Sequence, residues 1–322
     1  MHFSRLIVLL TVLCTIAVPL LMFRFVEDPE SERVTQQTDG SVYPTESITE
    51  SVKISVFMPD ETVTEMDLEE YILSVVLREM PSSFESEALK AQAVVARTYA
   101  LRRQERGGKH DLAAVCTDPG CCQGYCSPEE YVNSGGATAS LEKVRQAVYD
   151  TAGEVLMYNG TLAEATYFSC SGGYTEDAKA VWGTDIPYLQ ATYSPGEEHA
   201  TYYTDTVTIT ADEFRRCIEE SLPGFPGDWF GAITYTAGGG VDSIEICGKR
   251  YTGSQIRQAL QLRSTAFVIT PVGNSITITT KGYGHRVGMS QYGADAMAVR
   301  GSSYKDILQY YYKGTELFVN NN

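Results

Sequence analysis

Eighteen consecutive uncharged residues, Leu6 to Phe23 (LIVLLTVLCTIAVPLLMF), restrict the fate of this chain more than any other stretch of it. The hydrocarbon core of a bilayer asks for about 20 apolar residues of helix, so such a run reads as a membrane span. A cleavable export signal has a shorter apolar region closed by a small-x-small site, and no such site follows here. Cys14 lies in mid-run behind bulky Val12 and Leu13, which argues against a lipid-attachment cysteine. Arg5 precedes the run, and the acidic, polar segment VEDPESE follows Arg24. The basic end is therefore expected to stay inside and the remainder to be exported. The expected organisation is a transmembrane anchor over residues 1–25, a flexible spacer over 26–51 rich in Glu, Ser, Thr and Pro, and a folded body over 52–322.

A net charge of −16, from 41 acidic against 25 basic residues, argues against a nucleic-acid or anionic-lipid partner and suits a neutral or sugar-like substrate. In the body, a strand near VKISVFMPD gives way to a helix from about Asp67 to Met80. There Leu68, Ile72, Val75, Val76 and Glu79 recur at three- and four-residue steps. A second helix, opened by Ser82 with Glu85 three residues on as a capping box, contains the small-residue run EALKAQAVVARTYAL. Short strands then alternate with helices near 141–151, 211–221 and 253–263, followed by a helix near Gln291 and a last one in SYKDILQYYYKG. No repeat and no regular strand–helix–strand alternation is present, so the body is expected to be α+β, with 200–265 as a smaller lobe.

Glu79 puts a carboxylate on an apolar helix face, where desolvation raises the pKa and makes a general acid usable near neutral pH. The same position also suits a structural Glu paired with Arg97, which would require the two helices to pack antiparallel around Pro81. Ser171 with Gly172 and Gly173 marks a place where a sugar can approach the backbone closely, or simply a tight turn. His285 sits in KGYGHRVGMS, a Gly-rich turn before a helix start. That turn lacks the lysine and spacing of a phosphate-binding loop, which excludes nucleotide binding there. His110, Cys116, Cys121, Cys122 and Cys126 crowd one loop with thiolates and an imidazole, the ligands of zinc. A disulfide-stapled loop is the competing reading for an exported protein. Seven cysteines lie outside the apolar run, so not all can pair within one chain; Cys217 and Cys247 form a separate pair or remain thiols.

The segment YILSVVLREMPSSFESEALKAQAVVARTYAL resembles the signature of the stage II sporulation protein D family. YFSCSGGYTED followed by VWG and PYL, and GHRVGMSQYGADAMA, resemble its other two hallmark blocks in order. The resemblance covers roughly residues 70–313. It implies a lytic transglycosylase of peptidoglycan with Glu79 as the catalytic residue. Arg97, Ser171, Gly172, His285, Gln291 and Tyr292 follow as substrate-contact candidates. It also implies a zinc site at His110, Cys116, Cys121 and Cys122, with Cys121 where the family has His and Cys126 as a substitute ligand. Its implied partners are glycan strands stripped of stem peptides, a membrane-anchored sporulation amidase and a multi-span membrane protein. Its implied location is the extracytoplasmic face of the membrane, between mother cell and forespore. The alternative within the same resemblance is a non-catalytic wall-binding enhancer of an amidase.

Overall fold

The computed structural model describes residues 51–108 and 110–320. The apolar run at Leu6–Phe23 and nearly all of the spacer lie outside them. Among the described residues no helix is long and apolar enough to cross a membrane.

The body opens on an antiparallel hairpin of β1 (Lys53–Phe57) and β2 (Val63–Asp67), paired from Lys53 with Asp67 to Phe57 with Val63. Asp67 ends the hairpin and caps α1 (Leu68–Glu79), its carboxylate accepting from the Glu69 and Glu70 amides. The helix stops where the sequence forces it to. Met80 precedes Pro81, whose ring excludes helical backbone from its predecessor, and Met80 is extended at φ −119°, ψ 141°. Glu79 is thus the last helical residue. Leu68, Ile72, Val75 and Val76 are buried as the periodicity predicts, but so are Tyr71, Leu73, Ser74 and Leu77. α1 is enclosed on nearly every side rather than on one stripe.

α2 (Ser86–Glu105) begins later than the sequence suggests. Ser82 and Glu85 form no capping box, because a turn from the Pro81 carbonyl to the Phe84 amide intervenes. Ser82 Oγ instead meets Tyr131 Oη at 2.9 Å, and Asp295 accepts from the Glu85 amide at 2.8 Å. The alanines at 88, 91, 93, 96 and 100 are buried, which brings the backbone of α2 close to its neighbours.

Next come β3 (Val115–Cys116), parallel to β1, then α3 (Pro128–Asn133) and α4 (Thr138–Tyr149). β4 (Glu154–Tyr158) is followed by β5 (Thr161–Leu162), β6 (Tyr167–Phe168) and α5 (Ala178–Trp182). From β7 (Thr204–Thr210) to α6 (Ala211–Ile218) the chain starts a second apolar cluster. Its antiparallel β8 (Phe230–Tyr235), β9 (Val241–Ile246) and β10 (Lys249–Thr252) lead to α7 (Gly253–Ala259). β11 (Phe267–Val272) and β12 (Ser275–Lys281) then close a sheet in which β12 pairs back with β7. Phe214, Trp229, Ile244, Ile256, Phe267 and Ile276 fill this cluster, apart from the larger core around α1 and α2. The chain then returns to the larger core through β13 (Met289–Ser290), parallel to β6, and through α8 (Gln291–Val299) and α9 (Tyr304–Tyr311). It ends with β14 (Glu316–Val319) on β4. Helices and mainly antiparallel strands are mixed without regular alternation, as an α+β body requires.

Candidate active site

The C-terminal end of α1 delivers Glu79 to the meeting point of two cavities, of about 910 and 530 Å³, which share Glu79, Ser169 and Gln291 as lining residues. The carboxylate accepts from the Gly124 amide at 2.5 Å, and the Gln291 and Tyr167 side chains also face it. Burial outweighs these hydrogen bonds and the nearby Arg78, and raises the Glu79 pKa above the usual carboxylate value.

A buried relay holds Tyr167 in place. Tyr71 Oη donates to Gln123 Oε1 at 3.3 Å, and Gln123 Nε2 donates to Tyr167 Oη at 3.1 Å. The Tyr167 hydroxyl proton is left for Glu79. Burial and the charge of Glu79 keep that phenol protonated far above its ordinary pKa, so Tyr167 is a fixed donor. Gln291, buried at the first turn of α8, turns its side-chain amide toward the same carboxylate and supplies a second donor there.

Gly124 is required by contact. A Cβ there would lie 2.7 Å from Arg78 Cγ and 3.0 Å from Glu79 Oε1. Gly124→Ala is expected to displace the carboxylate from its amide and lower turnover by roughly tenfold or more, since misplacing a reacting group by about 1 Å can cost a hundredfold. Comparing kcat with the circular dichroism of the purified variant checks this; unchanged kcat in a folded variant would remove Gly124 from the site.

His285 lines the larger cavity, its ring 5.7 Å from Phe168 and 5.4 Å from Trp182. Nδ1 accepts from the Val287 amide at 3.1 Å, and the ring also donates to the Tyr167 backbone. Burial, with Arg257 nearby, pushes its pKa down to about 4. With both nitrogens engaged and the ring neutral at pH 7, His285 braces β6 rather than exchanging protons. Tyr292 lines the smaller cavity and meets Phe84 edge-on at 4.9 Å.

Three of the expected substrate contacts lie elsewhere. Arg97 is fully buried. Its Nε and Nη2 donate to Glu69 at 2.8 and 2.6 Å, and Nη1 donates to the Glu154 carbonyl at 3.0 Å. It ties α1 to α2 and β4 through Glu69, ten residues before Glu79. Breaking such a pair costs on the order of 3–5 kcal/mol, toward the lower end because Glu69 is part exposed, so an inactive Arg97 variant reports on folding. Ser171 is also fully buried, its amide and Oγ donating to the Glu197 carboxylate at 2.6 and 2.9 Å. Gly172, at φ +69°, passes so near Gly282 that a Cβ would lie 2.6 Å from its amide; the glycine answers a backbone crossing rather than a sugar. Tyr167 and Ser169 take the places the sequence suggested for Ser171 and Gly172. They lie in the same YFSCSGG region, but only the parallel pairing of β6 with β13 sets them beside Gln291.

The Cys-rich loop itself lines the larger cavity through Pro119, Gly120, Cys121 and Cys122. His110, Cys116, Cys121 and Cys122 bring their ligand atoms within 4.8 Å of one another. Both Cys121 Sγ and Cys122 Sγ are 3.7 Å from His110 Nε2, and the two sulfurs are 4.0 Å apart. Tetrahedral zinc with sulfur and nitrogen ligands has edges of about 3.5–3.8 Å, so a donor cluster of this span could hold a metal ion. Pairing of Phe57 with Cys116 in β1 and β3, and stacking of His110 on Phe57 at 5.4 Å, fix two corners to the sheet. Cys126 stays outside the cluster, its Sγ 3.6 Å from the Ser127 carbonyl. No disulfide joins the described cysteines, and Cys217 and Cys247 are exposed. Gln123 and Gly124 follow Cys122 without a break, so whatever holds the cluster also holds the amide on Glu79.

Residues 60–158, which include Glu79 and the cluster, match the family model described as stage II sporulation protein. The chain is 38% identical to stage II sporulation protein D of Bacillus subtilis (strain 168) over 324 residues, covering 96% of this chain and 94% of that protein. It is 40% identical to stage II sporulation protein D of Bacillus amyloliquefaciens over 263 residues, covering 80% and 76%. A further relative, the amidase enhancer of Bacillus subtilis (strain 168), is 29% identical over 302 residues, covering 76% of this chain and 39% of that protein.

Proposed function

The chain belongs to the stage II sporulation protein D family, and from that premise we propose that it is a lytic transglycosylase cleaving stem-free peptidoglycan strands during sporulation. One observation carries the reading: a single carboxyl group of raised pKa stands at the junction of two cavities, where a polymer can extend to both sides of it. Among the described residues lining those cavities the only other carboxylate is Glu164, held by Arg102 at 2.8 Å and Arg103 at 3.2 Å. Hydrolysis by the usual route asks for two working carboxylates; transglycosylation needs one.

Protonated Glu79 gives its proton to the glycosidic oxygen leaving muramyl C1, and the C1–O bond breaks to an oxocarbenium-like centre. The sugar's own 6-hydroxyl then attacks C1 and passes its proton to the Glu79 carboxylate. The enzyme is restored, no water is consumed, and the products are a 1,6-anhydro-muramyl end and a free hydroxyl on the departing sugar. Tyr167 and Gln291 steady the carboxylate through the cycle, and the Gly124 amide favours its charged form in the second half.

In this reading His110, Cys116, Cys121 and Cys122 would hold a zinc ion, whose part would be to fix the loop that carries Gln123 and Gly124. An N-terminal anchor places the body on the extracytoplasmic side, beside a sporulation amidase and a multi-span membrane protein. The product decides the chemistry: mass spectra of digested stem-free strands should show 1,6-anhydro ends. Reducing muramic acid ends alone would make this a hydrolase. The likeness to the amidase enhancer favours a second reading, a wall-binding partner of an amidase. No cleavage by folded protein, together with faster release of stem peptides by an added amidase, would select it.

A further inference from the structure

The ring hydroxyls and glycosidic oxygens of a glycan are uncharged, yet one wall of the larger cavity is basic. Arg102, Arg103 and Arg106 line it from the last turn of α2 and the residue beyond, and among the described lining residues Glu164 is the one carboxylate paired with any of them. In a chain of net charge −16 this concentration runs against the average. Arg102 is spent: it donates to Glu164 and to the Leu162 carbonyl. Arg103 gives Nη2 to Glu164 at 3.2 Å and lies over the Tyr99 ring at 4.8 Å, but its buried Nε has no partner among the described residues. Arg106 is exposed and makes no ion pair among the described residues. Among the described residues Arg106 therefore lines the cavity without a counter-charge, and Arg103 shares its one, Glu164, with Arg102. Trp182, 42% exposed on the same cavity, adds an apolar surface of the kind a sugar ring covers.

A planar guanidinium fork matches a carboxylate in shape and charge. On a glycan strand the carboxylate belonging to the sugar itself is the lactyl group of muramic acid. It is free only where the stem peptide has been removed, because the peptide converts it to an uncharged amide. We infer that Arg103 and Arg106 form an anion subsite for the free lactyl carboxylate of a muramic acid residue near the scissile bond. The inference rests on the glycan-cleaving reading above and supplies a physical reason for preferring stripped strands.

The test measures binding apart from cleavage. In full-length Glu79→Gln protein, calorimetry compares stem-free strands, the same strands with their carboxyls converted to amides by carbodiimide and ammonia, and strands retaining stem peptides. Amidated and stem-bearing strands should each bind about tenfold more weakly than free ones, the order expected for one charge-assisted contact. Adding Arg106→Gln should weaken binding of free strands by a similar factor and leave free and amidated strands bound alike. Arg103→Gln, its fold checked by circular dichroism, should act in the same direction. Equal binding of free and amidated strands, or discrimination surviving in both arginine variants, would overturn the subsite. Stem-bearing strands bound as tightly as free ones would overturn the lactyl assignment in favour of a peptide carboxylate. Wild-type protein that discriminates without cleaving would sink the lytic reading and leave the subsite standing; cleavage without discrimination would do the reverse.

Discussion

Purified Glu79→Gln protein should fold as the parent does and cleave stem-free strands roughly a hundredfold to ten-thousandfold more slowly, the usual worth of a positioned proton-transfer group. The amide preserves shape and can still accept from the Gly124 amide, but it has no proton to exchange. Stability gives an independent sign. Burial raises the Glu79 pKa in the folded protein, so its contribution is fully present below the ordinary carboxylate pKa and is lost as pH rises through the raised one. A glutamine does not ionise. The melting temperature of Glu79→Gln relative to wild type should therefore rise across that window and stay level or higher at neutral pH. Wild-type turnover should fall as pH climbs past the same raised pKa. Near-wild-type cleavage by the folded variant would end the assignment.

The second large effect concerns the His and Cys cluster at the edge of the larger cavity. The folded body should carry about one zinc per chain, and His110→Ala or Cys116→Ala should lose it. Activity should then drop by about tenfold to a hundredfold, the range typical when groups supporting a site are removed. The route is through the loop: Cys122 leads directly into Gln123 and Gly124, which hold Tyr167 and Glu79. Hydrogen exchange at the Gly124 amide should accelerate in both variants, a readout independent of turnover. Cys126→Ala, outside the cluster, should keep the metal. Metal analysis showing no zinc, with peptide mapping showing paired cysteines, would replace the metal by disulfides.

Much of this was legible in the chain itself. A carboxylate at helical spacing with Leu68, Ile72, Val75 and Val76, followed by Met80-Pro81, placed Glu79 on the apolar face of a helix that stops at the proline, because periodicity and the proline clash are local facts. The Cys and His spacing marked one short loop as a candidate metal or disulfide cluster, but which four of its five members come together was decided by the fold. What lay beyond sequence were choices made by partners far along the chain. Arg97 was drawn to Glu69 rather than Glu79 because α1 and α2 pack so as to bury that pair. Ser171 was taken by Glu197, 26 residues away. Tyr167 reached Glu79 only through β13, more than a hundred residues later, and Arg102 and Arg103 came to share one carboxylate, Glu164. A sequence states which groups want partners; which partner each one meets is settled by long-range packing, where several polar groups compete for the same counter-charge and the fold admits one arrangement.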